Sequence, residues 1–415
     1  MPPPSPDNAP AAVSGRTSRV LFLCTTYPAP TETFVRREVE ALRAAGAELD
    51  VVSVWGGGGG DVWRFRFWEL VKLLWWLPYW LVRRPGVLCD LMQSMILRPM
   101  PSALNAGENL LGFGFALIHA QKIGRRRYRH AHAAWAGLPA AAAWLLDRLT
   151  GLPYSVGAHA YDLFEGGGDW LLSDKTARAR FVRTSTGAGR RRLLRSGVPE
   201  GKVALIRRGL VAFPPVHPMR AVRVPLRILA VGRFVEKMGY HALVGVLEQA
   251  RAAGLAFEGR LIGEGPARRE IADRLAARGL ATCVRFEGRQ PFTRVLEALA
   301  WADVLLFTGV VARNGDRAGL PNAVAEAMAA GVPVVASRVG GVAEAVEHER
   351  SGLLVEGPGA AAELLRLARD DDLYRRLQEG GREWTLTHFD AAVNMRALRH
   401  RIDASAEDGA ERICL

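Results

Sequence analysis

Two α/β domains in tandem, each a doubly wound parallel sheet, are the fold class the sequence predicts. Three observations carry it: a length of 415 residues, a strand–helix rhythm that starts at residue 19 and again near residue 226, and a proline-rich stretch between the two. A chain this long exceeds one ordinary core and implies two domains of roughly 200 residues each. The first half opens with RVLFLCTTYP, an apolar run that reads as a buried parallel strand. TETFVRREVEALRAAG follows, with Phe34, Val35, Val39 and Leu42 on a helical stripe that ends at Gly46. AELDVVSVW completes a β-α-β unit. Further candidates alternate through LPAAAAWLLDRLTG, PYSVGAH, ARFVRTST and KVALIRRG.

AFPPVHPMRAVRVP, residues 212–225, holds four prolines and no periodicity, which marks a boundary. The rhythm then restarts with strands LRILAVG, FEGRLIGEGP, CVRFEG, DVLLFT and VPVVAS, each separated from the next by a helical stretch. The expected organisation is a disordered tail over 1–18, a first domain over 19–213, a linker over 214–225 and a second domain over 226–385. A helix over 386–403 and a loose tail over 404–415 complete it. The first tail is rich in Pro, Ala and Ser and lacks the apolar core of a signal peptide.

A hydrophobic fraction of 49% with 23% charged residues fits a folded globular protein. The net charge of +13 points to an anionic partner: nucleic acid, an acidic membrane surface or a phosphorylated small molecule. The basic runs Arg125–Arg127 and Arg190–Arg192 come with no recognition motif, so nucleic acid is set aside. Four scattered cysteines without C-x-x-C spacing imply a reducing, cytoplasmic compartment and no zinc or disulfide framework. The most apolar stretch, LVKLLWWLPYWLV at 70–82, is too short to span a bilayer, which takes about 20 residues. Its Trp75, Trp76, Tyr79 and Trp80, flanked by Arg64, Arg66, Arg83 and Arg84, suit a headgroup region instead. Residues 56–110 are therefore expected to form a membrane-surface insertion on the inner face of the cell membrane, with a buried helical insertion as the alternative.

The chemistry concentrates in loops that follow strands of the second half. In AVGRFVEKMGY, Arg233 stands at a strand end, Gly232 lets a ligand approach the backbone, and Lys237 follows four residues on. Arginine offers a planar fork for phosphate oxygens and lysine adds a point charge. In GDRAGLPNAVAEAMAAGVPVVAS, Gly319, Leu320 and Pro321 lead into a helix that carries Asn322 and Glu326 on one face. Free N–H groups and the dipole at that helix start favour an anion, and Glu326 can accept from neutral hydroxyls. A phosphate beside a diol describes a nucleotide. Gly263 and Glu264 of LIGEGP occupy the next strand end and join the expected donor site.

These segments, with SGLLVEGP, resemble the donor-binding half of the retaining glycosyltransferases of family 4. TYPAPTETFVRREVEAL resembles the S-E-T-F segment of the branch that builds bacterial exopolysaccharides. GAHAYDLF resembles that branch's H-A-x-D region, and REWTLTHFD its C-terminal crossing helix. The resemblance covers nearly all of 19–400 and is weakest over 56–110. It implies a GT-B fold, two Rossmann-like domains facing across a cleft, with a nucleotide sugar as co-substrate and no cofactor. It implies a saccharide or lipid-linked saccharide acceptor, and transfer with retention at the anomeric carbon. His159 matches the first position of H-A-x-D and faces the transferred sugar in the family; Asp162 is its partner. His159, Asp162, Arg233 and Lys237 are thus the expected catalytic set. No D-x-D metal motif stands in a suitable loop, so Arg233, Lys237 and helix N–H groups are expected to neutralise the leaving diphosphate.

Two positions depart from the family pattern. The phosphate lysine before glycine is Met238 here, with Lys237 as its neighbour, and the first glutamate of the E-x7-E motif is Ala318. A lost charge-assisted hydrogen bond of about 1.5–3 kcal/mol slows transfer roughly 10- to 150-fold. Asp316, two residues earlier, offers a substitute carboxylate. A catalytically weak partner or scaffold protein is the alternative reading that these two positions motivate.

Overall fold

The computed structural model describes residues 19–29, 33–216, 224–356 and 359–411, in which the two rhythms form two separate sheets. The expected tail over 1–18 and most of the proline-rich linker lie outside these residues. The first sheet contains β1 (Val20–Cys24), β2 (Leu49–Ser53), β3 (Trp63–Arg64), β4 (His130–Ala133), β5 (Tyr154–Gly157), β6 (Val182–Thr184) and β7 (Val203–Leu205). Its order is β3-β2-β1-β4-β5-β6-β7, with every neighbouring pair parallel. The second contains β8 (Leu226–Val231), β9 (Phe257–Ile262), β10 (Val284–Gly288), β11 (Val304–Phe307), β12 (Val334–Ser337) and β13 (Leu353–Val355). It runs β10-β9-β8-β11-β12-β13, again parallel throughout.

Strand β1 is apolar and buried along its whole length, as a strand covered by helices on both faces must be. Chain order reverses between β1 and β4 in one sheet and between β8 and β11 in the other. Loops leaving the carboxyl ends of those strands part at these points and open a crevice in each domain.

Strand β4 reads His-Ala-His-Ala, an unpromising sequence for a central strand, yet all of it is buried. Both histidines place a ring nitrogen 2.8 Å from the Ser155 hydroxyl on β5. Burial lowers the pKa of both rings, that of His132 to about 3, so each stays a neutral core side chain.

The segment 56–110 is only in part the surface insertion that its composition predicts. Trp63–Arg64 adds an edge strand to the first sheet, and the long helix Ala103–Arg125 packs its middle into the core of that domain. Trp80 also differs from expectation: it is buried, and its indole N–H donates to the Leu117 carbonyl at 2.8 Å. Helix Leu73–Arg83 turns one face inward, and Trp80 lies on that face.

The chain crosses back at Leu210, whose N–H donates to the Phe389 carbonyl while its own carbonyl accepts from Ala391. Asp390 caps the next helix by accepting from the Ala392 and Val393 N–H groups, so that helix begins at Ala391 rather than 386. Its Met395, Leu398 and Ile402 pack against Val35, Val39 and Leu42 of helix Thr33–Ala44. The helix continues to Glu411, through most of the expected loose tail, with Ala406 still buried.

Candidate active site

The two crevices share a cavity of about 480 Å3. From the first domain, Trp135 after β4, His159 after β5, and Phe34 and Arg37 of helix Thr33–Ala44 line it. From the second come Gly232 and Arg233 after β8, then Lys237 and Met238. The start of helix Asn322–Ala330 completes the second wall with Gly319, Leu320, Pro321, Asn322 and Glu326.

A Cβ on Gly232 would fall 2.4 Å from the Met238 Cε, so a side chain there would have to displace the end of that methionine. Gly263, at φ +142°, presses on the same place: a Cβ on it would meet the Gly232 carbonyl oxygen at 1.8 Å. Gly263 thus shapes the site from behind and does not line the cavity, which departs from its expected role. Glu264 is also outside the cavity, 3.6 Å from Arg268 in an ion pair one helical turn on.

Among the described residues no carboxylate pairs with Arg233, which leaves its guanidinium open to the cavity. Lys237 is paired: its ammonium donates to Asp316 at 2.6 Å. That contact also corrects the expectation for Asp316, which accepts from Lys237 and from the Arg317 N–H and does not line the cavity. Pro321 stands immediately before the helix in extended conformation, and no side chain caps the helix start. The free N–H groups therefore face the cavity. Ala318, Met238, Val231 and Leu320 are the edge of one apolar cluster that reaches the cavity wall.

Glu326 is buried, and Arg37 donates to it at 3.0 Å from the other domain. Burial pushes its pKa above the ordinary 4.5, against the opposing pull of the Arg37 charge and hydrogen bond. His159 is buried with its ring edge-on to Trp135, centroids 5.5 Å apart. Burial first, then the Arg208 and Arg183 charges, holds the imidazole well below its usual pKa, so it is neutral at pH 7. Its Nδ1 is buried with no hydrogen-bond partner among the described residues.

Asp162, expected in the catalytic set, does not line the cavity. Its carboxylate is fully enclosed and accepts from the backbone N–H groups of Ala136, His159 and Ala160 at 2.8–3.1 Å. It is a positioning residue that ties the loop after β4 to the loop after β5. Burial raises its pKa, and those three N–H groups oppose the rise.

Arg37 and Arg208 lie outside the sequence-predicted set. Arg208 stacks its guanidinium over the Phe34 ring, 3.6 Å from the centroid, and over Trp135 at 5.3 Å. Arg37 was legible in principle: it lies three residues after Phe34, on the same helix face. Arg208 follows β7 in RRGL, with nothing local to separate it from its neighbours.

Two family models match this chain: "Glycosyl transferase 4-like domain" over residues 31–209 and "Glycosyl transferases group 1" over 225–370. Together they take in nearly all of both sheets. The chain belongs to glycosyltransferase family 4. The putative colanic acid biosynthesis glycosyltransferase WcaL of Escherichia coli is 35% identical over 219 residues, 51% of this chain and 54% of that protein. The amylovoran biosynthesis glycosyltransferase AmsK of Erwinia amylovora is 34% identical over 184 residues, 43% of this chain and 45% of that protein. The chain spans about half the length of the curated relatives it matches.

Among solved structures, HepE of Anabaena with UDP and glucose superposes at a TM-score of 0.67 and 15% identity, covering 93% of this chain and 99% of that one. Sucrose-phosphate synthase of Thermosynechococcus elongatus superposes at 0.69 and 20% identity with the same coverage. The fold of this family 4 member is thus GT-B, as the resemblance implies.

Proposed function

We propose that the second domain (226–385) holds a nucleotide-diphosphate sugar and the first (19–213) an acceptor, and that a hexosyl unit passes between them with retention. The acceptor is an envelope or exopolysaccharide saccharide, free or lipid-linked, met at the cytoplasmic face of the cell membrane. The observation that carries this reading is the opposition across one cavity of Arg233, Lys237 and an uncapped helix start to a neutral His159. As the donor bond breaks, negative charge grows on the leaving diphosphate. Arg233 and the helix N–H groups supply fixed positive charge there without a metal ion, and Lys237 adds a donor whose charge Asp316 largely offsets. The Glu326 oxygen not engaged by Arg37 accepts from ribose hydroxyls. His159, being neutral, exchanges a hydrogen bond with a hydroxyl of the transferred sugar.

The UDP and UDP-glucose complexes of HepE make UDP-sugars the first donors to test. A thermal-shift screen over UDP-, GDP-, ADP- and dTDP-sugars should raise the melting temperature with one nucleotide class, since a ligand bound only by the folded state stabilises it. Arg233→Ala and Glu326→Ala should each abolish the shift. No shift with any nucleotide would favour the second reading, a catalytically weak partner or scaffold, for which the apolar wall at Ala318 and Met238 argues.

A further inference from the structure

Most of the exposed large hydrophobic side chains among the described residues fall in one stretch of the chain, from Trp55 to Leu110. Its extremes are Val82, Ile96, Leu104 and Leu74, between 70% and 82% exposed. Soluble surfaces rarely gather so many apolar side chains without a partner to cover them. No helix of the described residues is long and apolar enough to cross a membrane. Helices Leu73–Arg83 and Pro85–Leu97 instead pack against each other as a hairpin whose turn carries Arg83 and Arg84. Between the helices runs a groove of about 410 Å3, within the range of small-ligand sites. Leu81, Leu88, Met92, Ile96 and Leu97 form its walls, and Cys89 and Gln93 add its few polar atoms.

The charges around this face select its partner. Two of its acids are engaged: Glu69 takes Lys72 at 2.7 Å, and Asp90 takes Arg148 from the domain core, while Asp61 stays exposed in the loop before β3. Arg64, Arg66, Arg83 and Arg84 are exposed and have no acidic partner among the described residues. A second copy of the chain docked about a twofold axis would bring like charges onto the same face. Anionic headgroups would neutralise them, at about fivefold in affinity per arginine. The apolar tips would enter the acyl region, and Trp68 and Trp75, both more than 60% exposed, suit the interface between.

We propose that this hairpin docks on an anionic phospholipid bilayer and that the groove between its helices takes an acyl chain. The proposal deepens the membrane-side reading above and is independent of the donor. It also orients the cleft. Arg64 ends β3, Trp55 follows β2, and His159 follows β5, so the docking face and the cavity share the carboxyl edge of one parallel sheet. A sugar carried on a bilayer lipid would thus approach His159 from the membrane side.

The test uses the full chain and phosphatidylcholine vesicles with or without phosphatidylglycerol. Co-flotation should require phosphatidylglycerol and weaken with salt. Replacing Arg83 and Arg84 together with Gln should cost roughly 25-fold in affinity, and Val82→Asp at least as much. For the groove, maleimide alkylation of Cys89, followed by mass spectrometry, should slow about tenfold on anionic vesicles. Met92→Gln with Ile96→Gln should lift that protection; both side chains are exposed, so the fold should survive. Failure to float, or an unchanged Cys89 rate on bound vesicles, overturns the docking or the groove respectively. A lipid-free dimer that Val82→Asp dissociates would assign the face to a second copy and overturn both. Each variant is also assayed for nucleotide-dependent thermal shift. Loss of that shift throughout, with flotation intact, would sink the donor reading and leave this one standing.

Discussion

Arg37, on the first helix of the first domain, donates to Glu326 of the second at 3.0 Å, closing the cleft between them. The side chains are only 16% and 6% exposed, so the pair is desolvated and removing one partner strands the other. The Arg37 guanidinium also lies over the Phe292 ring, 4.6 Å from its centroid, which adds a second contact across the cleft. Arg37→Met should therefore open the cleft, enlarging the radius of gyration in solution scattering. The cost should stay below the roughly 3–5 kcal/mol of a broken buried pair, because opening rehydrates Glu326. An unchanged radius with unchanged melting temperature would show that the pair holds nothing closed.

The same glutamate sets a pH dependence whose sign is fixed. Burial raises its folded pKa above 4.5, with Arg37 only partly opposing. The folded state thus holds the proton more tightly than the unfolded one. That contribution is fully present below the unfolded value and is lost as pH rises through the folded value. Glu326→Gln should remove this slope, so melting temperatures of variant and wild type should diverge as pH rises above the ordinary carboxylate value of 4.5. Parallel curves would refute the shift.

Asp162 organises two loops through three N–H groups. Asn at 162 keeps one acceptor oxygen and turns an amide group toward a donor. Asp162→Asn should cost about 1–3 kcal/mol of stability and displace His159. Transfer to acceptor should fall while the nucleotide-dependent thermal shift, which the proposed function assigns to the second domain, stays. Loss of both together would mean global damage instead.

The second domain was the more legible half because β8, β11 and β12 are mostly apolar runs separated by clear helical stretches, and its motif loops follow its strands. Strand β4 hid because two of its four residues are histidines, whose burial depends on a Ser155 hydroxyl that belongs to another strand. Tertiary context also reassigned Trp80, since composition cannot tell a bilayer-facing tryptophan from one bonded to Leu117. In the cavity, Gly232, Arg233, Lys237, the helix start and His159 emerged from local motifs. Arg37 and Arg208 did not, because their meaning lies in partners 289 residues away or on other elements. Gly263 and Glu264 were placed in the site by adjacency to it and Asp162 by its place in H-A-x-D; their contacts make them supports behind it or bystanders beside it.

The Lys237–Asp316 pair bears most directly on Ala318 and Met238. With Asp316 at 2.6 Å, the lysine meets a diphosphate with its charge already compensated. Asp316→Asn should free that charge, while the Asn oxygen still accepts from the Arg317 N–H, which keeps the loop in place. Nucleotide diphosphate affinity should rise about tenfold, the lower end for a hydrogen bond to a charged group, and its salt dependence should steepen. Calorimetry at two ionic strengths reads both. Ala318→Glu should act in the opposite sense, because it adds a carboxylate to a wall formed with Met238 and Leu320 beside the expected phosphate position. If the apolar wall is adapted to its donor, Ala318→Glu with Met238→Lys will gain no turnover. A gain approaching the 10- to 150-fold range expected from a restored charged hydrogen bond would instead mark the wall as a degenerate site and favour the scaffold reading, at roughly 1.4 kcal/mol per tenfold.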